Sequence, residues 1–219
     1  MAGVDFLKIH QEFPSSESPE ACQNEAISCV NDPKMVNTMD RRTCLALRSL
    51  ASLDIRFASP PSQRGLLVAS SCDSIDYQDF IEIFRRSEEI PTNRFSEATR
   101  RFPPLWLLQR LPNMTAAHIA REYKIQGCVH TFQNWHAPVD QAFEMLHLLH
   151  KNREIDEILV VCVEILPEFP VSLAPDCNQV VAMKFDLTEA ELPIPPYSVA
   201  DMSSCIHWLT SISQSSKAS

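Results

Sequence analysis

The sequence predicts an α/β domain in which helices cover a buried sheet. Three observations carry that reading. Gly65-Leu-Leu-Val-Ala-Ser70 and Glu157-Ile-Leu-Val-Val-Cys-Val163 are continuous apolar runs of strand length, as expected of strands covered on both faces. Segments with apolar residues at helical spacing alternate with such runs. The segment from Pro138 carries Val139, Ala142, Phe143, Leu146 and Leu149 on one side, with Met145 and Leu148 beside them, so it reads as a buried central helix.

Residues 1–36 are polar, rich in Ser, Glu and Pro, and weakly patterned, and are expected to form an N-terminal arm outside a domain over 37–214. From Asn37 to Arg56, Cys44, Leu47, Leu50 and Leu53 recur at helical spacing, with Asn37 or Thr38 as the cap. Ala58-Ser-Pro-Pro-Ser62 ends that helix before the strand at 65–70. A helix with Tyr77, Phe80, Ile81 and Phe84 on one side follows, then a Pro-punctuated polar excursion over 87–103. Asn113 is the expected cap of a helix from Met114 to Tyr123 that ends near Gly127. Cys128 to Phe132 reads as a strand, and Gln133-Asn134-Trp135-His136 as a polar corner into the central helix, whose Pro138 suits a first turn. Strands at 157–163 and 180–185 come next; 128–163 reads as a right-handed strand-helix-strand crossover. A last helix from Ser198 presents Val199, Met202, Ile206, Leu209 and Ile212 on one face, and residues 215–219 form a polar tail.

Composition excludes several functions. Of 219 residues, 45% are apolar and 21% charged, ordinary globular usage. With 28 acidic and 19 basic residues the net charge is −9, which argues against nucleic acid as the main partner. No uninterrupted apolar run reaches the ~18 residues of a membrane helix, and the first residues do not read as a secretory signal. Gly3, Gly65 and Gly127 are the only glycines, so neither a P-loop nor a dinucleotide fingerprint is present. None of the 8 cysteines forms a Cys-x-x-Cys pair, and several lie in apolar segments. Reduced, buried thiols in a cytoplasmic protein are therefore expected, with no cofactor and no metal. His118, His130, His147 and His150 form no ligand constellation in the sequence. Arg41-Arg42, Arg85-Arg86 and Arg100-Arg101 are read as solvated positions, with a basic docking spot as the alternative.

The run Pro103-Pro-Leu-Trp-Leu-Leu-Gln-Arg-Leu-Pro-Asn-Met-Thr-Ala-Ala, followed by a helix and Gly127, resembles the N-terminal half of a β-ketoacyl synthase. The family pattern overlays Gly127 to Glu164 without gaps: strand, nucleophile corner, buried helix, and a strand ending in an acidic residue. Asp40-Arg-Arg42 and 65–71 match more loosely, and the resemblance spans about residues 37–190. It implies a layered, thiolase-like fold with a mixed sheet. Ketosynthases place a cysteine at the corner, where the helix dipole favours the thiolate. Here the overlay puts His136 at that position, or Trp135 after a one-residue shift; Cys128 lies eight residues before His136. The family's catalytic histidines belong to a second half that this chain does not match.

The resemblance therefore implies a non-catalytic, chain-length-factor-like subunit. Such a subunit would pair with an active β-ketoacyl synthase in a type II polyketide or fatty-acid-like pathway, aryl polyene assembly being one setting, and meet the acyl carrier protein through the complex. Chain-length factors commonly carry glutamine in place of the cysteine, but Gln133 stands three positions before His136. In the family the strand before the nucleophile pairs across the dimer twofold. That assigns Cys128, Val129, His130, Thr131, Phe132 and Gln133 to an interface. Trp106, Leu107, Met114, Asn134, Trp135 and His136 are assigned to shaping an acyl tunnel. Two alternatives stand beside this reading. One is an acyl-thioester hydrolase or transferase with His136, kept neutral at a helix N-terminus, as base. The other is a homodimeric module that binds a carrier protein.

Overall fold

The computed structural model of the protein describes residues 7–14, 17–70, 111, 113–133, 138–165, 177–189, 192 and 202–215. Among them, β1 (Leu7–Pro14), β2 (Arg64–Ser70), β3 (Val129–Gln133), β4 (Glu157–Glu164) and β5 (Cys177–Asp186) form one mixed sheet in the order β1-β5-β4-β2-β3. β2 is parallel to both β3 and β4; β5 is antiparallel to β4, and β1 to β5. The helices are α1 (Pro19–Ile27), α2 (Arg41–Ala51), α3 (Met114–Glu122), α4 (Pro138–Asn152) and α5 (Met202–Ser215).

The strand alternation builds two apolar layers. Leu66 and Val68 of β2, Leu159, Val161 and Val163 of β4, and Val180 and Ala182 of β5 face α1, α2 and α3. Leu67 and Ala69, Ile158, Val160 and Cys162, and Val181, Met183 and Phe185 face α4 and α5. This period of two with apolar residues on both faces accounts for the continuous apolar runs. The β3–α4–β4 crossover passes over β2, which lies between its two strands. Phe143 of α4 meets Trp208 of α5 edge to face at 5.5 Å between centroids.

Several details differ from the sequence reading. Within the stretch expected to be an arm, Leu7–Pro14 is the edge strand beside β5, and α1 packs on α2 through Cys22 and Ala26. The α2 cap is Asp40, whose carboxylate accepts from the Thr43 N–H at 2.9 Å, rather than Asn37 or Thr38. Asn113 stands at the start of α3 but makes no side-chain cap bond. The α4 helix is buried on one side only: Leu148 is 53% exposed, and His147 and Glu144 face out with it. The expected helix around Tyr77–Phe84, the 87–103 excursion, the corner at 134–137 and Val199 lie outside the described residues.

Gly127 matters for a different reason than a helix cap. The left-handed residue after α3 is Lys124, at φ 53°. Gly127 instead lies where a Cβ would sit 2.6 Å from the Arg64 carbonyl oxygen and 2.7 Å from Ile155 Cδ1. Its N–H donates to that same carbonyl at 3.1 Å, so the backbone cannot withdraw without losing the bond.

At the start of β4, Glu157 is buried and ties three segments together. It accepts from the Ser59 N–H at 2.6 Å and hydroxyl at 2.5 Å, and pairs with Lys184 of β5 at 2.5 Å. Arg64 and Lys184 both lie over the Phe57 ring, at 5.1 and 5.4 Å. Burial alone would raise the Glu157 carboxyl, but the bonds from Lys184 and Ser59 outweigh it and hold the group below its ordinary value.

Two outcomes follow. Gly127→Ala should destabilise the protein by about 2 kcal/mol, through forced backbone displacement, in urea denaturation. Glu157→Gln should cost about 2 kcal/mol at pH 7, because it removes the counter-charge of the partly exposed Lys184. A carboxyl depressed on folding stabilises above its unfolded value of about 4.3 and loses that gain as pH falls through its folded value. The gap between wild type and Glu157→Gln should therefore narrow as pH drops from 7 to about 3. A gap that stays constant would show that the ionised carboxylate contributes nothing.

Candidate functional site

The three parallel strands end together. Ser70 of β2 is level with Gln133 of β3 and with Val163 of β4. In open α/β sheets this carboxyl end is where loops assemble binding sites. β3 ends at Gln133 and α4 begins at Pro138. Asn134, Trp135 and His136 lie outside the described residues, as do Trp106 and Leu107. Met114, half-buried, opens α3 beside Thr115.

A buried polar network lies beneath this end. Arg42 is 1% exposed. Its Nε and Nη2 donate to Asp40 Oδ2 at 3.0 and 2.9 Å, and its Nη1 donates to Ser70 Oγ at 3.2 Å. Asp40 Oδ1 accepts from the Thr43 hydroxyl at 2.6 Å, and that hydroxyl lies 2.9 Å from Thr115 Oγ1. The cap of α2, the end of β2 and the first turn of α3 are thus joined by side chains with mutually satisfied charge. His118 of α3 is buried, with Nε2 3.5 Å from Thr38 Oγ1. Burial lowers the ring below its ordinary value, which favours neutral imidazole at pH 7. The expectation that Arg41-Arg42 form a solvated pair fails at Arg42, which is an interior residue. Arg41 instead donates from Nη2 to the Pro14 carbonyl at 3.0 Å. Asp40-Arg-Arg-Thr43 is compatible with a helix cap, but it carries no local sign that Arg42 is interior.

The segment Cys128–Gln133 lies along one margin of the sheet. Among the described residues no strand lies beyond β3. Val129 is 39% exposed and His130 is exposed, while Thr131, Phe132 and Gln133 are half-buried. The His130 and Phe132 rings, on one face of the strand, are 6.3 Å apart. Burial, with the nearby Glu154 carboxylate, raises the Cys128 thiol, the reverse of an activated nucleophile. His150 places Nε2 2.9 Å from the Glu189 carbonyl oxygen, while His147 is exposed. Among the described residues no group of three His, Cys, Asp or Glu side chains is arranged to hold a metal. No helix among them is long and apolar enough to cross a membrane.

No protein-family model matches the chain, and no curated protein does. Solved structures do. The ishigamide ketosynthase/chain length factor superposes with a TM-score of 0.54 at 17% identity, over 77% of this chain and 49% of that one. A type II polyketide acyl-carrier protein in complex with its ketosynthase bound to the hexaketide, AntDE:AntF, matches with a TM-score of 0.54 at 11% identity, over 82% of this chain and 61% of that one. Over the superposed residues the chain shares the fold of these ketosynthase structures. It spans about half the length of the first of these structures. The layered, thiolase-like mixed sheet expected from the sequence is the one observed.

The network in this ketosynthase-like fold makes a quantitative demand. Asp40→Ala should destabilise by about 3–5 kcal/mol, because it uncaps α2 and leaves Arg42 charged and unpaired in the interior. Arg42→Met combined with Asp40→Ala should cost clearly less than the sum of the two single changes. Urea denaturation of the four proteins measures the coupling. Strict additivity would mean that the two side chains do not act as a pair.

Proposed function

We propose that the protein is a non-catalytic, chain-length-factor-like subunit that docks on an active β-ketoacyl synthase along the β3 edge. The observation that carries this is the placement of Cys128–Gln133 on the margin of the sheet beyond which no strand lies among the described residues, four residues before α4. A strand edge presents a row of backbone donors and acceptors, and continuation of the sheet into a second subunit satisfies them. Exposed Val129 at the start of the strand and Leu148 on α4 add apolar area for the partner to cover.

The second support is chemical. The gapless overlay gives His136, or Trp135 after a one-residue shift, where the family places its cysteine, and Cys128 has a raised thiol. A chain built this way contributes shape rather than a nucleophile. In the complex, the corner residues Asn134, Trp135 and His136, with Trp106, Leu107 and Met114, would line the acyl tunnel. The carrier protein would approach the assembled pair.

Co-expression with a type II β-ketoacyl synthase from the same genome tests this, with the assembly sized by light scattering. The expected result is a one-to-one complex. Val129→Lys, which places a charge beside the pairing edge, should weaken it by about tenfold or more. Larger residues at Met114 should shorten the products of the complex without abolishing condensation. A lone monomer that ignores the synthase overturns the proposal. A homodimer lost on Val129→Lys would turn it toward a self-pairing module, and thioester turnover by the isolated chain, abolished by His136→Ala, toward an enzyme.

A further inference from the structure

His118 is the one histidine among the described residues that is buried, at 4% exposed. It sits where α3 meets the 3₁₀ turn Pro33–Thr38, just before the Asp40 cap of α2. The Thr38 hydroxyl donates its single proton to the Met35 carbonyl at 2.7 Å. Toward the ring that oxygen can therefore only accept, which assigns the proton of the neutral imidazole to Nε2, 3.5 Å away. Among the described residues nothing bonds Nδ1. A second proton would go there and would stand in the interior without an acceptor.

The charged groups around the ring do not offset that cost. From α2 comes Asp40, which favours the cation, but its Oδ2 already accepts from Arg42 and its Oδ1 from Thr43. From the ring's own helix comes Arg121, which opposes the cation, while Glu122 is engaged by Asn31. On the face toward α3, β2 presents Leu66 and Val68, with Ser70 beyond them; His130 of β3 shares the opposite face with Phe132. The turn's one titratable residue, Lys34, is exposed. Burial dominates and lowers the ring below its ordinary value; Thr38 and Asp40 act against this and Arg121 adds to it.

We propose that His118 is an acid-sensitive catch, whose protonation releases residues 31–39 from α3 and slackens the Asp40 cap beside them. The segment is poised for it. Its polar ties to α3 are otherwise at the surface: the Asn31 N–H donates to Glu122 at 3.0 Å, and Arg121 pairs with Asp32 at 3.4 Å. Its buried side chains are Val36 and Met39, and a short 3₁₀ turn has little stability of its own. Once released, the ring meets water, where an imidazole has its ordinary value of about 6.5. The closed state excludes the cation, so it is favoured above that pH and gives way as pH falls from there toward the lower folded value. Asp40 stands two residues after Thr38 and holds Arg42, which reaches Ser70 where β2 ends. Acid would thus loosen the carboxyl end of the sheet from below.

Hydrogen exchange of the full chain, read by mass spectrometry at pH 7 and pH 5.5 and corrected for the chemical exchange rate at each, follows the stretch 31–43. Its protection should fall at least about threefold in the wild type. His118→Gln keeps a donor for Thr38 but does not titrate, and should show no fall. β2 and β4 should hold their protection in both proteins. A second measurement needs no variant: the ring nitrogen shifts of wild-type His118 at pH 6 should be mainly those of neutral imidazole protonated at Nε2. Constant protection in the wild type, an equal fall in His118→Gln, or a ring mostly cationic at pH 6 overturns the inference.

Discussion

The whole structure depends on burying β2, β4 and β5 from both sides. Each strand sends alternate side chains into two separate apolar layers, so that one seven-residue strand, Arg64–Ser70, serves both cores. Each fully buried Leu, Ile or Val contributes about 1.5–3 kcal/mol through removal from water. A polar residue at any central position of these strands would meet apolar side chains whichever way it pointed. The middle of the sheet is thereby reserved for aliphatic residues and Cys, and polar chemistry is pushed to the strand ends.

The two buried charge systems follow from that restriction. Glu157 sits where β4 begins, level with Arg64 of β2, and fastens the 57–59 loop and Lys184 there. Ser70 sits where β2 finishes, and Arg42 fastens α2 to it. The sheet is thus pinned at both ends by ion pairs and held in the middle by dispersion and the hydrophobic effect. Buried pairs of this kind add little net stability over apolar residues of the same shape, but breaking one is expensive. Their role here is to fix register and position: one sets the incoming loop, the other sets the helix starts below the carboxyl end, where a corner has to be held.

This division explains what the sequence reveals and what it hides. The runs at 65–70 and 157–163 are legible because burial on both faces leaves a continuous apolar word. The strand at 177–186 is longer than its apolar centre suggests, because its outer residues pair with β1. β1 itself is hidden: Leu7-Lys-Ile-His-Gln-Glu-Phe-Pro14 alternates, but Gln11 interrupts its inward face and only Phe13 of its described side chains is buried. The sequence does not single out Asp40, because Asn37 and Thr38 are equally good capping types, and only tertiary contacts choose among them. Arg42 reads as a surface residue because nothing local shows that Ser70, 28 positions later, returns to meet it. The helices end where composition would not place them, at Lys124 and Arg153, both left-handed, because this glycine-poor chain offers no glycine at those turns.

The two margins of the sheet differ in a way that bears on assembly. β1 carries Lys8, His10 and Glu12 and finishes at Pro14, the devices by which an outer strand discourages further pairing. It also packs beneath α2 and sends Lys8 Nζ to the Leu209 carbonyl at 3.1 Å, so it is held within the chain. β3 has the opposite character. Val129-His-Thr-Phe-Gln133 holds no Lys, Glu, Asp or Pro, and its residues are β-branched, aromatic or uncharged polar types suited to pairing. Among the described residues, the charged and proline devices that discourage pairing stand on β1 and are lacking on β3, which is the physical support for the proposed docking side. That margin ends at Gln133, at the carboxyl end of the parallel strands. A subunit docked there would therefore feel, through Gln133 and the residues after it, whatever occupies the carboxyl end of the parallel strands.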